Sequence, residues 1–194
     1  MHVLDAMTAR RTVRTFGLRT PPRSTIESIF RNAARAPSAA NDQPWRAYVY
    51  AGEPLADLVN AASAGEAALA GRPGQWAEGI ARDSREAGML RRSGLRFYEA
   101  PVGAIFTMPK GHDVLGLIGH GGFVANVCLA AGAFGLDTCI VGDFFGLESF
   151  LGAFLGLADN ERITVGVGIG YLDGARPIAP ARLPFEEIVS IIWS

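Results

Sequence analysis

Gly166-Val167-Gly168-Ile169-Gly170 is the stretch that decides the fold. Three glycines at alternate positions invite comparison with the GxGxxG turn of doubly wound dinucleotide-binding proteins. That turn must join a strand to a helix, so that backbone N–H groups at the helix start meet a pyrophosphate. Here the glycines fall inside an apolar strand, Arg162 to Tyr171, and Tyr171-Leu172-Asp173-Gly174 follows as a turn. Residues two apart share one face of a strand. Alternating glycine therefore clears that face for a closely packed helix or ring, and the dinucleotide reading is rejected.

Working outward, Leu147, Phe150, Leu151, Phe154 and Leu155 predict a helix by their 3–4 spacing, and Thr138 to Gly142 a strand. Pro101 opens a buried strand, Val102 to Met108. Val3, Leu4 and Met7 suit a short opening helix running to Arg10-Arg11, and Val13 to Phe16 alternates as extended chain. Ser24 with Glu27 forms a capping-box pattern before the amphipathic run Ile26, Ile29, Phe30, Ala33, Ala34. Ala47 to Tyr50 reads as a strand, and Gly52-Glu53-Pro54 turns it into a helix bearing Leu55, Leu58, Val59 and Ala62. Gly65 to Gly74 reads as a loop, and Trp76 to about Tyr98 as a polar helix. Strict βαβα alternation is missing from the first hundred residues. The expectation is an α+β layered fold, one domain over 1–194, with no internal repeat.

The 194 residues suffice for one substantial core, and 49% hydrophobic content suits a chain that buries further apolar surface in an oligomer. A net charge of −1 gives no pull toward nucleic acid. Cys128 and Cys139 show neither a disulfide framework nor CxxC spacing, and His2, His112 and His120 form no paired-ligand pattern. The expectation is a cytoplasmic, metal-free protein without a signal peptide. Val114 to Leu136 carries no charged residue and could span a bilayer. Its six glycines, with His120 and Asn126 near the middle, fit better a helix packed on a sheet or a partner subunit.

Two segments carry candidate chemistry. Arg10-Arg11-Thr12-Val13-Arg14 offers forked donors and a hydroxyl for phosphate oxygens. Arginines ending a helix can equally be solvated or meet its C-terminal dipole. In Ala36-Pro37-Ser38-Ala39-Ala40-Asn41-Asp42-Gln43-Pro44-Trp45, small residues would let backbone approach a flat ligand while Ser38, Asn41 and Gln43 supply polar groups. The plainer reading is a helix stop, a turn and a buried Trp45. No GxSxG is present, Glu186-Glu187 and Asp159 with Glu161 look like solvated ends, and His120 reads as a core histidine.

Taken in order, these segments resemble the FMN-dependent nitroreductase family. The matching features also include Phe16, Glu99-Ala100-Pro101, Asn126 leading to Leu129-Ala130-Ala131, Gly135-Leu136, Gly168-Ile169-Gly170-Tyr171 and Arg182-Leu183-Pro184. The resemblance covers nearly the whole chain and is weakest at about 64–98. It implies a three-layer α/β/α sandwich with a mostly antiparallel central sheet, homodimeric, with FMN at the subunit interface. It gives Arg10, Arg11, Thr12 and Arg182 roles at the FMN phosphate and ribityl chain, and Arg14 a place at the flavin N1–O2 edge. A cation there would favour the anionic reduced flavin. Pro37, Ser38 and Ala39 would reach the cofactor from the partner subunit, Asn41 would also bind the cofactor, and the backbone of Val141 and Gly142 would lie beside N5. Thr12 stands where serine is usual, and Pro180 where many relatives carry a basic or amide residue.

The implied activity is ping-pong hydride transfer from NADPH or NADH to a nitroaromatic, quinone or similar small-molecule acceptor. No side-chain acid or base is required, since the flavin carries the chemistry. Trp76, Phe97 and Tyr98 are candidates to line or cover the pocket, or only to fill core. A dehalogenase, flavin-fragmenting enzyme or natural-product dehydrogenase of the same fold, and a non-enzymatic flavin-binding protein, remain alternatives.

Overall fold

A computed structural model describes residues 2–68 and 92–193. Its centre is a four-stranded antiparallel sheet in the order β1-β2-β4-β3. The strands are β1 (Arg46–Ala51), β2 (Val102–Pro109), β3 (Asp137–Val141) and β4 (Glu161–Gly170). β2 and β4 are central, and β2 is buried along almost its whole length. The helices that accompany them among the described residues include α1 (Val3–Ala9), α2 (Arg23–Ala33), α3 (Glu53–Ala68), α4 (Val114–Ala133), α5 (Glu148–Leu155) and α6 (Phe185–Ile188).

One core cluster joins α2 and α4 to a face of the sheet through Ile29, Ala33, Phe106, Phe123, Val127 and Val167. The second, on the other face, gathers Leu58 of α3, Leu151 of α5, Phe97, Phe144 and Ile163. Helices thus cover both faces, as a half-apolar helix and a two-sided sheet require. The structure shows the expected three-layer α+β arrangement. The alternating glycines do clear a face, for rings and backbone: a Cβ on Gly166 would meet Phe144 at 2.4 Å, and one on Gly168 would meet the Phe97 carbonyl at 2.7 Å.

Helix α4 has the length and apolarity of a membrane span, but Phe123, Val124, Val127 and Ala131 are buried in the fold. His120 is buried as expected of a core histidine, its Nε2 lying 2.7 Å from the Thr164 hydroxyl, which itself donates to the Phe106 carbonyl at 3.0 Å. The imidazole is therefore the donor to Thr164, and burial, helped by Arg162, pushes its pKa down to about 4.

Four local expectations are corrected. Glu161 is no solvated end but a buried carboxylate accepting from the Thr107 and Tyr48 hydroxyls. Ser24 and Glu27 form no capping box: α2 begins at Arg23 behind Pro22, whose fixed φ pre-sets the helix entry, and no side chain caps it. Glu27 instead accepts from Arg23 Nε at 2.7 Å. A capping box does form at α1, where His2 accepts from the Leu4 N–H and Asp5 from the His2 N–H. Gly65 lies inside α3 rather than in a loop, and its lack of a side chain serves packing, since a Cβ there would lie 2.9 Å from Phe150 of α5; residues 69–74 lie outside the described part. Finally, residues 92–95 are helical, but the helix does not reach Tyr98. Phe97, Tyr98 and Glu99 all take positive φ, 53°, 54° and 59°. Most of the helix expected from Trp76 onward falls outside the described residues.

Candidate functional site

Residues 10–16 are tied to β3 and the end of β4. Arg10 caps the C-terminus of α1, its N–H donating to the Ala6 carbonyl at 3.0 Å. Thr12 bridges Thr138 in parallel and Phe16 bridges Leu172. The Val13 N–H donates to the Thr138 carbonyl at 3.1 Å, and its side chain is fully buried. Anchoring Val13 inward turns Thr12 and Arg14 the other way, because side chains alternate along extended chain.

Arg11 gives Nη1 to the carbonyls of Thr8, at 2.6 Å, and Arg10, at 2.9 Å. The plainer reading of an arginine at a helix end thus describes Arg11 as placed here. Arg10 and Arg11 nevertheless line a pocket of about 110 Å³ with Cys128, Thr138, Asp137 and Arg176. Asp137 accepts a bidentate pair from Arg176 at 2.7 and 2.9 Å.

Further along, the Arg14 guanidinium lies over the Tyr98 ring, 5.5 Å from its centre. Burial raises the Tyr98 phenol pKa, with Arg14 pulling the other way. Burial also pushes the Cys139 thiol up to about 11, which keeps it protonated despite the same guanidinium. Val141 ends β3, and Gly142 and Asp143 begin a short helical turn ending on the buried Phe144. Arg10, Arg11, Thr12, Arg14, Val141 and Gly142 therefore lie along one edge of the sheet, following the line of β3.

Pro37, Ser38, Ala39 and Asn41 lie elsewhere. Ser38 Oγ accepts from the Gln43 N–H at 3.0 Å, and Ala40, Asn41 and Gln43 adopt positive φ, so the segment is a tight turn. It rests on α4 at Gly119, where a Cβ would lie 3.2 Å from the Pro37 carbonyl. Cys128, beside Arg10, comes nine positions later. On an ideal helix that is about 14 Å along the axis and half a turn around it. Within one chain the two segments sit on opposite sides of α4. Arg182 is exposed and, among the described residues, donates only to the carbonyls of Pro180 and Ala181, at 3.4 Å. Trp76 lies outside the described residues, and Phe97 is fully buried.

Sequence reasoning missed the Asp137–Arg176 pair and the Tyr98–Arg14 stack. The first joins residues 39 apart with no motif between them. For the second the only signal was an aromatic pair just before Glu99-Ala100-Pro101.

A family model described as "Nitroreductase family" matches residues 7–171. The chain is 35% identical to a 4-nitrobenzoate reductase of Pseudomonas putida over 94% of this chain and 91% of that one. It is 30% identical to a chloronitrobenzene nitroreductase of Comamonas testosteroni over 97% and 96%. Among solved structures, the FMN and NADPH-dependent nitroreductase NfnB from Sphigopyxis sp. strain HMH superposes with a TM-score of 0.84 at 25% identity, covering 98% of both chains. The FMN-dependent NfnB from Mycobacterium smegmatis, in complex with NADPH, gives 0.82 at 25% identity, over 97% and 96%. On the strength of a family model spanning most of its length and relatives at 30–35% identity, the chain belongs to the nitroreductase family.

Proposed function

We propose that this chain is an FMN-dependent NAD(P)H oxidoreductase, acting as a cytoplasmic homodimer on nitroaromatic or similarly electron-poor acceptors. The observation that carries the reading is the row from Arg10 to Gly142. At one end stand guanidiniums and a hydroxyl, a donor set suited to a phosphate. At the other stand the Arg14 guanidinium and the backbone at the end of β3. An elongated ligand with an anionic tail and a polar, flat head fits that order of groups.

FMN, when bound, supplies two-electron transfer between a nicotinamide and the acceptor. The chain's own contribution is position and charge. Arg10, Arg11 and Thr12 would hold the phosphate, joined by Arg182 from the C-terminal tail. Arg14 would place positive charge at the flavin N1–O2 edge, where negative charge gathers on reduction. Val141 and Gly142 would present backbone beside N5. Because α4 separates Pro37–Asn41 from this row, those residues would serve the site of a second copy. The acceptors named for the relatives above, nitrobenzoate and chloronitrobenzene, support the substrate class.

The test is the absorbance spectrum of purified protein, with the released cofactor identified. FMN at one per chain is expected, bleaching rapidly when NADPH or NADH is added anaerobically. Flavin whose colour persists with both donors would refute the reductase. A flavin-loaded monomer in sizing at low concentration would refute the dimeric site.

A further inference from the structure

The glycine ladder of β4 and the Arg14 guanidinium are connected through the left-handed turn at 97–99. Phe97 is fully buried and stacks on Phe144 with ring centres 4.6 Å apart. Both rings lie over Gly166, and the Phe97 backbone lies over Gly168, at distances that no Cβ would allow. The glycines thus open a notch that receives Phe97. From that notch the chain must climb back to the start of β2 at Val102. It does so through three consecutive residues at positive φ, a conformation L-residues avoid. Strain of this kind persists only where surrounding contacts over-determine it, and here the buried ring of Phe97 supplies them.

The consequence is that Tyr98 does not choose its own direction. Its ring lies beneath Arg14, within electrostatic reach of Cys139 and of Asp143 beside Gly142. Arg14 makes no ion pair among the described residues. The ring engages the face of the guanidinium and the phenol oxygen lies within hydrogen-bonding reach of it, leaving the remaining in-plane N–H groups for other acceptors. A long, solvent-exposed arginine is otherwise free to sample many rotamers.

We infer that Tyr98 is a positioning residue for the flavin site, its ring fixing the plane and reach of the Arg14 guanidinium where the flavin's N1–O2 edge would lie. This rests on the FMN reading above. The charge is Arg14's; Tyr98 restricts where that charge can be, and so tunes both affinity for FMN and the bound flavin's potential.

The experiment compares the FMN dissociation constant and the midpoint potential of FMN-loaded wild type, Tyr98→Phe and Tyr98→Ala, each repeated with Arg14→Gln. Tyr98→Phe, which keeps the ring but loses the phenol oxygen beside Arg14, is expected to fall between wild type and Tyr98→Ala in both readouts. Tyr98→Ala is expected to weaken FMN binding roughly 2- to 30-fold, the range of a cation–π contact, and to move the potential negative. With Arg14→Gln present, Tyr98→Ala should add nothing to either. If Tyr98→Ala does not fold, Tyr98→Leu keeps bulk without a π face and carries the same expectation. Wild-type protein unable to bind FMN would overturn the functional reading and this inference with it. A wild type that binds FMN, with Tyr98→Ala equal to it or shifting the potential equally when Arg14 is Gln, would overturn the role of Tyr98 alone.

Discussion

Segment 10–16 is laced to the sheet by Val13, the Thr12–Thr138 bridge and the Phe16–Leu172 bridge, so its side chains leave from a fixed rail. Segment 36–43 and the tail from Arg182 onward lie on the outside instead. The first is a turn resting on α4, and the second leaves Leu183, Phe185, Ile188, Ile191 and Trp193 exposed. Near the same turn, α4 exposes Leu115, Leu117 and Ile118. Apolar surface on this scale, next to residues a flavin site would need, marks a face built for cover. On the function proposed above, one part of the site would be completed by its own chain and the other by a second copy.

The largest test of that contrast is removal of residues 183–194. The tail holds apolar side chains that contribute only if another surface covers them, at about 1.5–3 kcal/mol for each fully buried residue. Loss of at least about 3 kcal/mol of association, roughly 100-fold in the dimer dissociation constant, is expected. Sedimentation would measure it, with circular dichroism showing the sheet retained. A truncated chain that dimerises as tightly as the full one would erase the contrast.

A somewhat smaller effect probes α4 under the second region. His120 has a folded pKa of about 4, below its ordinary value of 6.5. The unfolded chain therefore binds a proton that the folded chain refuses between those values, and stability falls as pH drops through that window. The contribution is complete above about pH 6.5, and up to about 3 kcal/mol of it is lost by pH 4. Urea unfolding at fixed protein concentration should show about 2 kcal/mol lost between pH 7 and pH 5, and His120→Asn should flatten that slope. An unchanged slope in the variant would mean that α4 does not bury this side chain.

The smallest effect addresses the rail. Gly166→Ala places a methyl 2.4 Å from Phe144. Overpacking of that kind should cost about 1–2 kcal/mol of unfolding free energy, leaving dimer affinity unmoved. A variant as stable as wild type would show that the rings are not seated in the glycine notch.

Much of the architecture was legible because its signals are local. The 3–4 spacing in α2 and α5 and the run Val102 to Met108 each name their element through nearest neighbours. One error came where a distant partner overrode a local cue, and another where a near neighbour did. Gly65 looks like a loop until Phe150 is seen against it. Ser24 looks like a cap until Pro22 is seen to set the helix entry. For the site, the types and order of residues from Arg10 to Arg14 were readable, and resemblance supplied their roles. The Asp137–Arg176 pair was not readable, since nothing in either local sequence requires the other.

By itself the sequence determined that Gly166 to Gly170 belong to a strand, that the fold is α+β, and to which family the chain is similar. Local sterics and side-chain periodicity are enough for those conclusions. Only the tertiary structure decided what fills the face those glycines clear: Phe97 and Phe144, with the left-handed turn that brings Tyr98 under Arg14. It also decided that Arg10 and Pro37 lie on opposite sides of α4. Both facts depend on how segments far apart in the chain pack and register against one another, which no window of sequence contains.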